Sequence, residues 1–258
     1  MASTAPTATP TTTPTTTPAT TPATTPATTE PPGPPPAREA GDLTTGARGP
    51  RTQALQRRLN ELRFDVGKPD GTFGDNTAMA IWAWQALHGA PANGVVNAAT
   101  YDQVMASTPT PMLRPELGPT HVEVDLDRQV LLEFRDGTLD LVTHISSGSG
   151  HPYCETDPRN GSPNCGDART PPGTFAFGRR ASGWEYGPLG GLYNPVYFNA
   201  GIAVHGAESV PNRPASHGCV RIPMHIAERF PSRVDGGEAI VVFNGGSGPV
   251  GPPAAAPN

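Results

Sequence analysis

The sequence predicts an α+β protein of several domains: a disordered Thr/Pro tail, a small three-helix bundle, and a mostly antiparallel, β-sandwich-like domain with a short helix. Three observations predict this class. Residues 1–41 are almost entirely Thr, Pro and Ala. Over residues 42–107 the larger apolar residues recur at helical spacing. Beyond a proline-rich break at 108–119 the apolar period falls to two, and strand-like runs separated by turn residues continue to residue 245. A Gly/Pro/Ala tail, 246–258, closes the chain.

The tail at 1–41 lacks apolar side chains of any size, so it cannot bury enough surface to offset its ordering entropy. Proline keeps such a segment extended, which suits a tether or a wall-spanning spacer. In the helical unit, Gly49-Pro50 starts a first helix with Pro at the first helical position, and Leu55, Leu59 and Leu62 follow on one face. Residues 68–74 are turn chemistry, and Asp75 is the expected N-cap of a second helix carrying Ala78, Ile81, Trp82 and Gln85. Asn93-Gly94 makes another turn. Asn97 is expected to cap a third helix with Tyr101, Val104 and Met105 on one side. Pro109, Pro111, Pro115 and Pro119 make 108–119 a stiff linker.

From His121 the pattern is strand-like. Val122, Val124 and Leu126 alternate with polar residues, Asp127-Arg128 reverses the chain, and Asp136-Gly137 is a hairpin turn into Leu139, Leu141, Thr143 and Ile145. Residues 146–172 read as a long irregular segment, a lid or rim over a site, since loops of that length in a compact domain usually carry function. Residues 174–177 read as a strand, and Trp184, Tyr186 and Tyr193 fall in a second Gly-rich loop. Ile202-Ala203-Val204 is a strand leading into His205. A short helix over 223–230 and a strand at Ala239–Phe243 complete the domain.

The net charge of −5 gives no support for nucleic acid as a partner. No apolar run is long enough to span a membrane, and no signal peptide is read at Met1, which fits a processed form. Three cysteines are an odd number. Cys154 and Cys165 lie close together, and a bond between them would stabilise the fold by about 3 kcal/mol. Such a pair implies an oxidising, extracytoplasmic compartment, a reading the Thr/Pro tract favours, and leaves Cys219 as a free, reactive thiol. Three free thiols in a cytosolic protein are the alternative.

Cys219 lies in Ser216-His217-Gly218-Cys219-Val220-Arg221, fourteen positions after His205-Gly206. A thiol needs a base to become a nucleophile, and one imidazole can take its proton and return it to a leaving amine. A nearby imidazole is also expected to lower the thiol pKa. Gly218 allows the tight backbone by which the N–H groups of His217, Gly218 and Cys219 converge as an oxyanion hole. No Asp or Glu is placed to orient His205, so the carbonyl of Gly206 is the expected partner.

Two resemblances rest on these residues. Gly46-x-Arg48-Gly49-Pro50, Leu55-Gln56-x-x-Leu59, Asp70-Gly71-x-Phe73-Gly74, Thr77, Gln85 and Gly94-Val95-Val96 resemble the three-helix peptidoglycan-binding domain of wall-active enzymes. His205-Gly206 with Ser216-His217-Gly218-Cys219-Val220-Arg221, preceded by 192–199 and Gly201-Ile202-Ala203-Val204, resembles the signature of YkuD-type L,D-transpeptidases of the actinobacterial branch. The second resemblance implies that Cys219 is the nucleophile and His205 the base, that Ser216 and His217 shape the pocket, and that Tyr193, Ala200, Gly201 and Arg221 hold the donor stem. It implies a secreted, wall-building transferase that contributes to cell shape. Cys219 would attack the third residue of a tetrapeptide stem, release the terminal D-Ala, and pass the acyl group from a thioester to a third-residue amine of a neighbouring stem. No cofactor or metal is needed. Peptidoglycan stems are donor and acceptor, carbapenems are covalent inhibitors, and the protein is expected to be a monomer. Arg221 stands where other members carry Asn, and Ala207 where some carry a bulkier residue, departures that bear on selectivity rather than reaction class.

Other readings compete. Cys219, His217 and His205 are a possible zinc set, disfavoured because no fourth ligand is suitably spaced. With water as acceptor the enzyme would be an L,D-carboxypeptidase, and with a silent site it would be a wall-binding protein only. Trp184 and Tyr186 read equally as a substrate wall or as packed aromatics. Arg221 is a salt-bridge partner or, as its place in the motif favours, a carboxylate contact. His88, His121, His144, His151 and His225 have no partner motif.

Overall fold

The computed structural model describes residues 1–2 and 41–246. The two expected tails lie outside the described residues, apart from Met1, Ala2, Gly41 and Gly246. Three helices come first: α1 (Pro50–Glu61), α2 (Asp75–Leu87) and α3 (Ala98–Ala106). Pro50 opens α1, as its fixed φ and missing N–H favour. Asp75 is the first residue of α2 rather than its cap. Gly74 takes the cap position without a side-chain bond, and the Asp75 carboxylate sits in the first turn, where the helix dipole favours it. Asn97 caps α3, its Oδ1 accepting from the Thr100 N–H at 2.8 Å. Only part of the expected α3 face is inward: Val104 is buried, Tyr101 lies under the Arg51 guanidinium at 4.6 Å, and Met105 is exposed. Gln56 ties the unit together. Its Nε2 donates to Asp70 Oδ1 and Thr72 O at 3.0 Å and to Thr77 Oγ1 at 3.1 Å, and its Oε1 accepts from the Gly71 N–H at 2.8 Å.

Eleven strands follow: β1 (His121–Asp125), β2 (Val130–Arg135), β3 (Thr138–His144), β4 (Pro152–Thr156), β5 (Pro163–Asp167), β6 (Gly173–Ala176), β7 (Trp184–Gly187), β8 (Gly190–Asn199), β9 (Ile202–Gly206), β10 (Val220–Ile222) and β11 (Ala239–Phe243). One sheet runs β3-β2-β1-β11-β6, a second β10-β9-β8-β7, and β4 pairs with β5 alone. Pairing is antiparallel except for β1 with β11 and β9 with β10. A core between the two larger sheets takes Val122, Val124, Val196, Val204, Val220 and Val242. Two short helices, α4 (Met224–Ala227) and α5 (Phe230–Arg233), close one end of it with Ile226 and Phe230, in place of the single helix expected over 223–230.

The polar positions of β1 are buried too, because the other face of this sheet is covered. Val130, Leu132, Phe134 and Val142 share a second core with Leu59, Phe64 and Ile81 of the helical region, and the described residues from 41 onward fall in one compact unit. Glu123, fully buried, pins the linker by accepting from the N–H groups of Leu113 (3.0 Å) and Arg114 (2.7 Å), and meets His121 Nε2 at 2.9 Å.

Two segments read from the sequence as loops are hairpins. β4 and β5 lie within the expected lid, with Cys154 directly opposite Cys165 and bonded to it. The second Gly-rich loop is β7 with the first half of β8, whose register breaks at Asn194-Pro195. Asn194 adopts φ +47, and the bulge lets a proline sit in a strand.

Candidate active site

The central strand β9 positions the base, and its parallel neighbour β10 positions the thiol. Their register sets Val220 against Val204 and Arg221 against His205, so Cys219 enters β10 beside the end of β9. Cys219, His205, Ser216, His217, Gly218 and Arg221 all line one cavity of ≈ 1010 Å³.

The loop before Cys219 is laced shut. Ser216 Oγ accepts from the Gly218 N–H at 3.0 Å and donates to Cys219 O at 2.5 Å. Thr170 Oγ1 donates to Gly218 O at 2.7 Å and accepts from the Gly148 N–H at 2.9 Å. The N–H groups of Ala215 and Ser216 both reach Ser147 O at 2.9 Å. Gly218 has φ +138, and a Cβ there would stand 2.9 Å from the Arg169 carbonyl, so only glycine fits without strain. The Gly218 N–H is occupied by Ser216, which removes one of the three donors expected for an oxyanion hole.

His205 is almost fully buried. Its Nδ1 lies 2.8 Å from Gly206 O. A carbonyl only accepts, so Nδ1 carries the proton and Nε2 keeps a lone pair. Burial pushes the imidazole down to about 4, against the Gly206 bond, which raises it, while the Arg221 charge lowers it further. Burial also pushes the Cys219 thiol up, opposed by the Ala203 backbone and Arg221. The expected lowering of the thiol is therefore not what the site produces, because enclosure outweighs its polar neighbours. Cys219 and His205 rest as neutral thiol and neutral imidazole at neutral pH. The thiol donates to Gly201 O at 3.7 Å.

Of the remaining expected residues, Gly201 and Arg221 line the cavity, whereas Tyr193, Ala200 and Gly206 are not among its lining residues. The Tyr193 ring lies against Trp184, with centroids 5.3 Å apart, and against the backbone at Gly206. Ala200 (φ +46) turns β8 into β9. Sequence reasoning missed Thr170 and the β4–β5 contacts. His217 Nε2 meets Glu155 Oε1 at 2.8 Å, and its ring stands edge-on to Tyr153, with centroids 4.7 Å apart. Nothing local in the sequence marks Glu155, since its partner is 62 positions away. Among the described residues no group of three or more His, Cys, Asp or Glu is arranged to hold a metal ion.

Comparison with known proteins gives the family. Residues 119–242 match the family described as "L,D-transpeptidase catalytic domain", and residues 48–104 the family described as "Putative peptidoglycan binding domain". The crystal structure of an L,D-transpeptidase from Xylanimonas cellulosilytica is similar at 35% identity and a TM-score of 0.69, over 81% of this chain and 100% of that one. An L,D-transpeptidase from Stackebrandtia nassauensis is similar at 24% identity and a TM-score of 0.43, over 81% of this chain and 98% of that one. This chain belongs to the L,D-transpeptidase family. The region that matches the putative peptidoglycan binding domain lies ahead of the part that matches the catalytic domain.

Proposed function

We propose that this protein joins the third residues of neighbouring peptidoglycan stems through a thioester on Cys219. The observation that carries the reading is the His205–Gly206 bond, which leaves Nε2 as the free base in the cavity that Cys219 lines. In the first half, Nε2 takes the Sγ proton as sulfur bonds to the carbonyl carbon of the third residue. The N–H groups of His217 and Cys219 receive the developing oxyanion. The C–N bond to D-Ala then breaks, the proton on Nε2 passes to the departing amine, and a thioester remains. In the second half a side-chain amine of an acceptor stem attacks, Nε2 takes its proton, the C–S bond breaks, and the proton returns to sulfur. Arg221 is offered as the contact for the D-Ala carboxylate. It lines the cavity with no ion-pair partner among the described residues. Tyr193 and Ala200 act at one remove in this reading, by supporting the backbone at Gly206 and Gly201.

The Cys154–Cys165 bond supports an extracytoplasmic setting, because such bonds persist in oxidising compartments. Carbapenems, which acylate thiols, would compete at Cys219. The test is incubation with a purified disaccharide-tetrapeptide, followed by mass spectrometry of protein and products, beside Cys219→Ala. The expected result is an acyl adduct on Cys219 and a cross-linked dimer, both lost in the variant. Tripeptide without dimer would make the protein a carboxypeptidase. No adduct and no D-Ala, with sacculus binding intact, would leave a wall-binding protein.

A further inference from the structure

Four large apolar side chains are exposed among the described residues: Met1, Met105, Trp184 and Tyr186. Two of them sit together on the cavity that holds Cys219. Trp184 is 39% exposed and Tyr186 68%. They occupy alternate positions on β7, the edge strand of its sheet, so both rings leave the same face. Their centroids are 6.1 Å apart and their planes differ by only 22°. Gly191 on β8 lies beneath them: a Cβ there would stand 3.0 Å from each ring. The two ring planes are thus nearly parallel, both rings stand close to the backbone at Gly191, and both remain open to solvent. Glu185, between them, points the other way and anchors the strand, taking both guanidinium nitrogens of Arg179 (2.8 and 2.9 Å) and the Tyr197 hydroxyl (2.9 Å).

Covering a glycine does not by itself explain a near-parallel aromatic pair left in water at a cavity mouth, where exposed apolar area is unfavourable. The surface wants a ligand that is flat, apolar on one face and polar around its edge. A pyranose ring is such a ligand. One of its faces is a patch of C–H groups carrying partial positive charge, which suits the negative face of an aromatic ring. The acyl donor of the proposed reaction is attached to a glycan strand, so a saccharide is present wherever a stem enters the cavity. We propose that Trp184 and Tyr186 form a saccharide platform at the mouth of the active-site cavity, on which a pyranose of the glycan strand stacks while its stem reaches Cys219. The proposal rests on the stem-transfer reading for its substrate.

Two measurements test it. D-Ala release is followed with a disaccharide-tetrapeptide and with the free tetrapeptide, in the wild type, Trp184→Ala, Tyr186→Ala and Trp184→Phe. In each alanine variant the ratio of the two KM values is expected to shift by about 3- to 10-fold against the sugar-bearing donor, with most of the shift restored by Phe. An equal loss on both donors would assign the rings to the peptide wall, and an unchanged ratio with no loss would leave them as a cover for Gly191. Either result overturns the platform. If the alanine variants fail to fold, titration of the wild type and Trp184→Phe with chitotetraose decides. Quenching of an exposed indole, absent from Trp184→Phe, is expected, and no difference between the two proteins overturns the proposal. A wild type that releases D-Ala from neither donor would defeat the stem-transfer reading instead, and the titration would still decide the platform.

Discussion

The loop that carries Cys219 and the hairpin that meets it touch through His217, which meets both Glu155 and Tyr153, yet they are held by different means. The Cys219 loop is fixed by buried hydrogen bonds from Ser216, Thr170 and Ser147, between two sheets that share a core. The β4–β5 hairpin exposes nearly every residue and depends on the Cys154–Cys165 bond, the Arg159–Asp157 pair and its own ladder. The difference separates a tightly bonded framework around Cys219 from a hairpin that buries almost nothing. Local opening should therefore begin in the hairpin and spare the loop.

Acid should reverse that order, and it carries the largest expected effect. His205 and His144 are buried, and burial holds each imidazole down at about 4. Unfolded, each takes up a proton near pH 6.5, so between about 6.5 and 4 the unfolded chain binds more protons than the native one. The stability they contribute is present above 6.5 and is lost as pH falls through that window, by about 3 kcal/mol for each imidazole. Urea titrations from pH 7 to 4 should show the decline, and His144→Gln should flatten about half of it. The same burial keeps the thiol protonated. Alkylation of Cys219 should still be rising above pH 9 in the free protein. A reactivity plateau at about pH 6 to 7 would mean that a thiolate–imidazolium pair forms after all.

Gly218→Ala comes next. The residue would be forced into φ +138 with its Cβ 2.9 Å from the Arg169 carbonyl, both of which are backbone constraints with little room to relax. A loss of about 2–4 kcal/mol is expected, with acyl transfer down about 100-fold as the thiol moves. On the hairpin, Gly161→Ala meets nothing within 4 Å and has only its φ of +75 to overcome, at about 1–2 kcal/mol, and because the hairpin opens locally, global stability should change by less than about 1 kcal/mol. Denaturation of the two variants side by side gives the contrast directly.

The difference between the two regions also governs what could be read from the sequence. Local spacing gave away Pro50, Asn97, the Asp136-Gly137 turn and β11, because each carries its signal within a few consecutive residues, in β11 an apolar run. The Cys219 motif was legible for the same reason, including the Gly206 carbonyl one residue from His205. What escaped depends on distant partners. β4 and β5 are polar strands without alternation, so pairing, not hydrophobicity, makes them strands. The buried polar face of β1 required knowing that the helical region covers it. The direction of the Cys219 shift required knowing how enclosed the thiol is, which spacing does not encode.

Replacing both Cys154 and Cys165 with Ser should act mainly on the hairpin. The loop-entropy model assigns about 3 kcal/mol to such a closure, but a unit this exposed opens without unfolding the sheets. Amide exchange over 152–167 is expected to quicken markedly while the global denaturation midpoint moves little. A midpoint that falls by the full 3 kcal/mol would show that the hairpin and the core unfold as one.

The smallest effect belongs to the contact between the two regions. Glu155 and His217 meet at 2.8 Å, but their side chains are 51% and 25% exposed. Solvent screens such a pair, so Glu155→Gln should change stability by less than about 1 kcal/mol. Gln still presents a carbonyl oxygen to Nε2, so the position of the ring should hold and acyl transfer should change by no more than about 3-fold. Glu155→Ala removes the acceptor as well, and comparing the two variants separates charge from position. If either slows acylation of Cys219 more than about 10-fold with stability intact, the hairpin belongs to the acyl-transfer machinery through His217, and the division between rigid centre and loose cover fails at that point.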